Sequence, residues 1–176
     1  MSQITTSQEL INTINILDAE NKVWVEKVIA IVESILLAYP ADALWLFTLP
    51  PLSSSAIGVL RNPKSDNNTL VTLVDTQPPL LQYWLSDDGL IGKIVKGNIP
   101  NFALHPSTKI VFDNDLGDAL FNYIKIRIKA IIPLTHNSTQ YGVMIMGGQS
   151  NNPFDESIQE SLKDVSSCLI SVLQKK

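Results

Sequence analysis

The stretch from Ile124 to Gly147 limits the possible folds of this chain more than any other. Ile124, Ile126, Ile128, Ala130, Ile132 and Leu134 are apolar, and Lys125, Arg127 and Lys129 stand between them. A period of two is the mark of a strand, because successive side chains leave a strand on opposite faces. From Ile131 the alternation gives way to apolar residues on both faces, and Tyr141 to Met146 continues in the same way. Strands of that kind must be covered on both sides. Thr135 to Gln140 is polar and rich in turn formers, as an exposed connection should be. The stretch therefore predicts a β-hairpin at the centre of a sheet, with helices above and below it.

The rest of the chain supplies those layers. Thr6 and Glu9 have the spacing of a capping box, and Leu10, Ile14 and Leu17 follow at helical intervals. Val23 to Tyr39, ended by Pro40, predicts a stronger helix. Its stripe Trp24, Val28, Ile31, Ile35 and Ala38 is widened by Val25, Ile29, Val32 and Leu36 beyond what one packing surface requires. The extra width fits either a second molecule or the terminal helices of the same chain. Ala43 to Leu49, Ala56 to Arg61 and Thr69 to Asp75 read as strands close enough in sequence for an antiparallel meander. With the hairpin and a brief strand over Lys109 to Phe112, the sheet has five or six strands.

A long insertion separates the third strand from the hairpin. Leu80, Leu81, Trp84 and Leu85 share a helical face, and Leu90 to Val95 predicts a short helix closed at Gly97 in left-handed geometry. An extended loop over Asn98 to Thr108 follows, and Asp113-Asn114-Asp115 can cap a helix over Leu116 to Tyr123. Lying over one sheet face, this insertion is the natural place for a ligand pocket. The candidate pocket residues are Tyr83, Trp84, Phe102, His105, Asp113, Asp115, Phe121 and Tyr123. Core packing serves equally for the aromatic ones, capping for the aspartates, and a plain loop position for His105.

The closing helix is expected to be capped by Asn152, with Pro153 in its first position and Asp155 and Glu156 at the positive end of its dipole. Ile158, Leu162, Val165, Leu169 and Val172 step by four and three residues, the pattern of a helix that packs on a partner helix. With Trp24, Val28, Ile31 and Ile35 they form a candidate dimer interface. The domain is placed at residues 22–176, preceded by a helical extension over 1–21.

At 176 residues, 45 % hydrophobic and 17 % charged, the chain suits a globular domain that buries about 70 % of its unfolded surface. A net charge of −4 without a basic run argues against direct nucleic-acid binding. Lys125, Arg127 and Lys129 form the one basic stripe, expected at a solvated or helix-edge face. Cys168, the single cysteine, excludes an internal disulfide and fits a reducing, cytoplasmic setting. Met1 to Leu10 lacks the cationic start and apolar core of a signal peptide. Val23 to Tyr39 is interrupted by Glu26, Lys27 and Glu33, which argues against a membrane span. His105 and His136 stand in no HxxH or HxxE spacing, so no metal site is expected.

Two stretches together resemble the GAF domain family of regulatory modules. Gly89 to Pro100, reading GLIGKIVKGNIP, is similar to the family's short helix and Gly-x-x-Pro turn. Ala130-Ile-Ile-Pro133-Leu134, Tyr141-Gly-Val-Met-Ile-Met146 and Phe154-Asp-Glu156 resemble its closing hairpin and last helix, so the likeness spans roughly 22 to 174. The resemblance implies an α+β domain of three α/β/α layers around an antiparallel sheet, related in layout to PAS domains. It also implies a small-molecule sensor in signal transduction or transcription control, acting as a homodimer and passing its signal through terminal helices to an output domain or protein. Asp113 matches an aspartate that often follows the family's turn. Family members that carry a bilin attach it through a pocket cysteine, whereas Cys168 lies on the closing helix. That contradicts a covalent bilin at the usual place and leaves the cofactor unknown. Members that reduce free methionine sulfoxide need several pocket cysteines, so no enzymatic activity of that kind is expected. The rival expectation is a degenerate module without ligand, acting in dimerisation or protein–protein interaction.

Overall fold

Residues 7–49, 52, 55–61, 69–75, 90–105 and 126–175 are described by the computed structural model of the chain. Among them, β1 (Ala43–Thr48), β2 (Ser55–Arg61), β3 (Leu70–Asp75), β4 (Arg127–His136) and β5 (Thr139–Gly148) form one antiparallel sheet in the order β3-β2-β1-β5-β4. The predicted meander is β1–β2–β3, and the hairpin docks against its first strand. The expected brief strand at 109–112 lies outside the described residues.

Helices cover both faces. α2 (Trp24–Ala38) packs on β1 and β2, α4 (Glu156–Gln174) packs on β4 and β5, and α1 (Ser7–Ala19) packs on both helices. α3 (Leu90–Gly97) packs on β4 from the opposite face. Leu44, Leu46, Ile57, Val59, Met144 and Met146 point to the side of α1, α2 and α4. Ala43, Trp45, Phe47, Leu60, Val143 and Ile145 point to the α3 side with Ile91 and Val95. Such two-sided burial explains why β1 and β5 read as continuous apolar runs. Among the described residues no helix is long and apolar enough to cross a membrane.

The width of the α2 stripe has an intramolecular cause. Leu10 and Ile14 of α1 are buried in the same core, over α2 and α4. Val28, Ile31, Ile35, Ile158, Leu162, Val165, Leu169 and Val172 are all buried within the single chain, and Trp24 is half-buried against the same core. These are the residues expected at a dimer interface. Within the single chain they hold α1, α2 and α4 together and on the sheet, with α1 packed over α2 and α4. Polar contacts fix the arrangement: Ser7 Oγ donates to Ser161 Oγ at 2.7 Å, and Lys175 Nζ meets Asp18 at 2.6 Å. α1 and α4 therefore run in the same direction. At the C-terminal end of α2, Arg61 donates from Nε to Ala41 O at 2.7 Å and from Nη2 to Leu36 O at 3.0 Å. A cation there complements the negative end of the helix dipole.

The hairpin is tighter than its polar stretch implies. His136 pairs with Thr139, leaving Asn137 and Ser138 as a two-residue turn with φ of 49° and 64°. Positive φ at both central residues is what the twist of a two-residue hairpin demands, and Gly tolerates it best at the second. Ser138→Gly is expected to stabilise the chain by about 0.5–1 kcal/mol, read as a higher urea midpoint with an unchanged slope.

β4 does not keep one phase. Its pairing passes from Ile128↔Gly147 to Ala130↔Met146, a β-bulge that leaves Lys129 without a partner across the ladder. Ile126 and Ile128 consequently face the α3 side, whereas Ala130, Ile132 and Leu134 face the helical core. The even-numbered series thus divides between two faces. Lys129 is only 3 % exposed rather than part of a solvated stripe, while Arg127 is exposed. β5 lies inside the sheet as expected, but β4 is the last strand of the described order. Along its outer edge, Asn101 pairs with Ile131 and His105 with Ile128 through reciprocal backbone bonds of 2.9–3.1 Å. Ile131 aims its N–H outward to Asn101, so Pro133, two residues on, has its missing donor on that same outer side.

Candidate functional site

The candidate site is the sheet face under α3. Trp45 stands on β1 between Gly58 of β2 and Ile145 of β5, so a wide side chain meets a position without one. Phe47, Val143, Ile131, Ile126 and Ile128 extend this apolar floor, and Ile91 and Val95 of α3 rest on it. α3 is placed from its C-terminal end. Gln140, just past the hairpin turn, donates from Nε2 to Val95 O at 2.9 Å. The N–H of Asn98 donates to Ile94 O at 3.0 Å and to Val95 O at 3.1 Å.

The left-handed residue that ends α3 is Asn98, with φ of 53°, and not Gly97, which is the last residue of the helix. Asn is the residue that tolerates this conformation best after Gly. A Cβ at Gly97 would meet nothing within 4 Å. Gly97→Ala is therefore expected to stabilise the chain by about 0.5 kcal/mol through a less disordered unfolded state. A small rise in Tm tests it; a fall would mean that Gly97 has a further role.

Two of the predicted pocket residues fall within the described region. His105 lies at the outer edge of β4, its backbone bridged to Ile128 and its ring Nε2 at 2.9 Å from Asn101 Oδ1. Asn101 Oδ1 also accepts the N–H of Ala103 at 3.1 Å, so one amide holds the 101–105 segment in shape. Phe102 packs against the helical-side core rather than with the residues under α3. Tyr83, Trp84, Asp113, Asp115, Phe121 and Tyr123 lie outside the described residues.

Sequence reasoning missed the residues at one end of the sheet. Lys129 Nζ donates to Asn152 O at 2.9 Å and lies 5.6 Å from the centre of the Phe154 ring. Asp42 Oδ2 accepts the N–H of Gln149 at 2.8 Å. Burial pushes the Lys129 ammonium below the usual lysine range, and the nearby Asp42 carboxylate opposes that shift. The helix α4 begins at Glu156, with Asp155 as its cap: Asp155 Oδ1 accepts the N–H of Ile158 at 2.9 Å. Asn152 and Pro153 precede the helix and do not cap or start it. Cys168 lies half-buried at the contact of α4 with α1, its Sγ 3.8 Å from Asn15 Oδ1. Burial raises its thiol above the ordinary range, which makes it a poor nucleophile.

No protein-family model matches the chain, and no curated protein does. Solved structures do. The GAF domain of an Acinetobacter phosphoenolpyruvate-protein phosphotransferase superposes with a TM-score of 0.59 at 13 % identity, covering 99 % of this chain and 96 % of that one. This chain has the GAF-domain fold. The phycocyanobilin-bound GAF domain of a cyanobacterial phytochrome superposes with a TM-score of 0.59 at 9 % identity over 97 % of this chain and 95 % of that one. The GAF domain of a phosphoenolpyruvate-protein phosphotransferase from Coxiella burnetii gives 0.57 at 14 % identity, over 99 % and 96 %. The GAF fold places α3 and the 101–105 segment on the β4 side of the sheet, and Cys168 across the sheet from α3.

Proposed function

We propose that this chain is a sensory or regulatory GAF module, holding a small molecule between the sheet and the insertion over 80–123 and passing its occupancy to the terminal helices. The observation that carries the reading is a superposition on GAF domains over nearly the whole chain, terminal helices included. β4 supplies the physical link, since α3 packs on one of its faces and α4 on the other. A ligand that prefers one packing of α3 shifts the strand on which α4 rests, to the extent of its differential affinity for the two packings. The module acts without catalysis, in the cytoplasm, within a signalling or transcription-control system with an output domain or partner protein. It works as a homodimer whose contacts use exposed helix surface, because the stripe residues are buried in each chain. A covalent bilin does not suit it, since Cys168 is engaged between α1 and α4.

Native mass spectrometry of the purified chain tests both parts. The expected spectrum is a dimer carrying a small-molecule adduct that is lost on denaturation. A monomer without adduct at high protein concentration contradicts the proposal, and a dimer without adduct favours a module that works through protein contacts alone.

A further inference from the structure

Among the described residues, Lys129 is the one charged side chain that is buried. Burying an ammonium is unfavourable unless it is bonded, so a lysine kept at such a place calls for a reason. Its backbone is the bulge of β4. The residue before it, Ile128, exchanges both backbone hydrogen bonds with His105, at 3.0 and 3.1 Å. Its side chain runs the other way, past Gly148, to the connection that opens α4: Nζ bonds Asn152 O and lies against the Phe154 ring. Phe154 is 3 % exposed, and Asp155 beside it caps the helix. Lys129 is thus linked to the 101–105 segment through its neighbour and to the connection just before α4 through its ammonium.

We propose that Lys129 is a positioning residue that couples the 101–105 segment to the N-terminal turn of α4 across the bulge in β4. Its regulatory meaning rests on the sensory reading above, but the coupling itself needs no ligand. Loosening of the 101–105 segment relaxes Ile128, swings the bulge, and draws Lys129 away from Asn152, so the Asp155 cap loses its support. Lys129 lies on the face opposite Ile128, and the bulge after it turns Ala130 to that same helical side.

A double-mutant cycle on the full chain reads the coupling by amide hydrogen exchange. Asn101→Ala removes the amide that holds His105 and Ala103, and Lys129→Met keeps the stem while removing the ammonium. The probes are the N–H groups of Ile158 and Gln159, both bonded to Asp155. The amide of Leu169 in the middle of α4 reports global stability. Asn101→Ala is expected to speed exchange at the two probes about fivefold with Lys129 present and less than twofold with methionine there, while Leu169 stays constant. Equal acceleration in both backgrounds, or none in either, overturns the proposal and leaves Lys129 a merely structural residue. If Lys129→Met does not fold, Phe154→Leu takes its place in the cycle and the same outcomes decide. The cycle can fail while a bound small molecule is found, and succeed while none is, so it is separable from the sensory reading.

Discussion

Replacing Gly142 by alanine is expected to destabilise the chain by about 3 kcal/mol or more, a large share of the roughly 5–15 kcal/mol that holds an ordinary domain folded. A Cβ at this position would be built into the carbonyl oxygen of Phe47, with the Phe47 carbonyl carbon at 3.1 Å and Thr48 Cα at 3.3 Å. All three are backbone atoms, so no side-chain rotation can relieve the overlap. Gly142 pairs with Thr48 of β1 and with Leu134 of β4, and displacing β5 there breaks the ladder on both sides. β1 cannot retreat, because β2 is paired along its other edge and every one of its residues is buried. Gly97→Ala is the matched control, an identical substitution at an open position. A Gly142→Ala variant with the Tm of the unsubstituted chain would show that β1 and β5 are not in this register.

Leu162→Ala is the second large effect, with an expected loss of about 2–5 kcal/mol. Leu162 is fully buried in the core that joins α4 to α1 and the sheet. Truncation leaves a cavity among elements that are fixed on several sides and cannot close over it. The heptad-like spacing of this helix also fits contact between two molecules, and the two origins predict different behaviour. Burial within one chain means that the variant keeps the oligomeric state of the unsubstituted protein and that its stability deficit is the same at low and high protein concentration. An interface origin would instead leave the fold intact and lower the association constant. Denaturant melts at two concentrations, each with a measured mass, separate the outcomes.

The layers of the fold were legible in the sequence because they follow from where apolar residues recur. Ala43 to Leu49 and Tyr141 to Met146 are apolar on both faces, and that pattern alone calls for a sheet covered on two sides. Occupancy of the helical face was only half legible. The excess width of Val23 to Tyr39 announced a second contact, but width carries no information on whether the contact is α1 or another molecule. The bulge at Lys129 was hidden for a different reason: a period of two cannot register one inserted residue when apolar residues stand on both sides of it. Its trace is that the odd positions turn from charged to apolar at Ile131, immediately after the phase changes. The ends of elements were misplaced where several residues offered similar capping chemistry. Asn98 took the left-handed position beside a glycine, and Asp155 took the cap in preference to Asn152. At the candidate site the resemblance could not foresee that Phe102 packs with the helical core and that Lys129 is buried.

The most direct measurement is amide hydrogen exchange over the whole chain, taken on protein as isolated and on the same protein unfolded, dialysed and refolded to strip any small molecule. Stripping is expected to speed exchange in residues 90–105 and at the start of α4, with β1 and β5 unchanged. Identical exchange in the two samples would contradict a ligand site under α3 that communicates with the terminal helices.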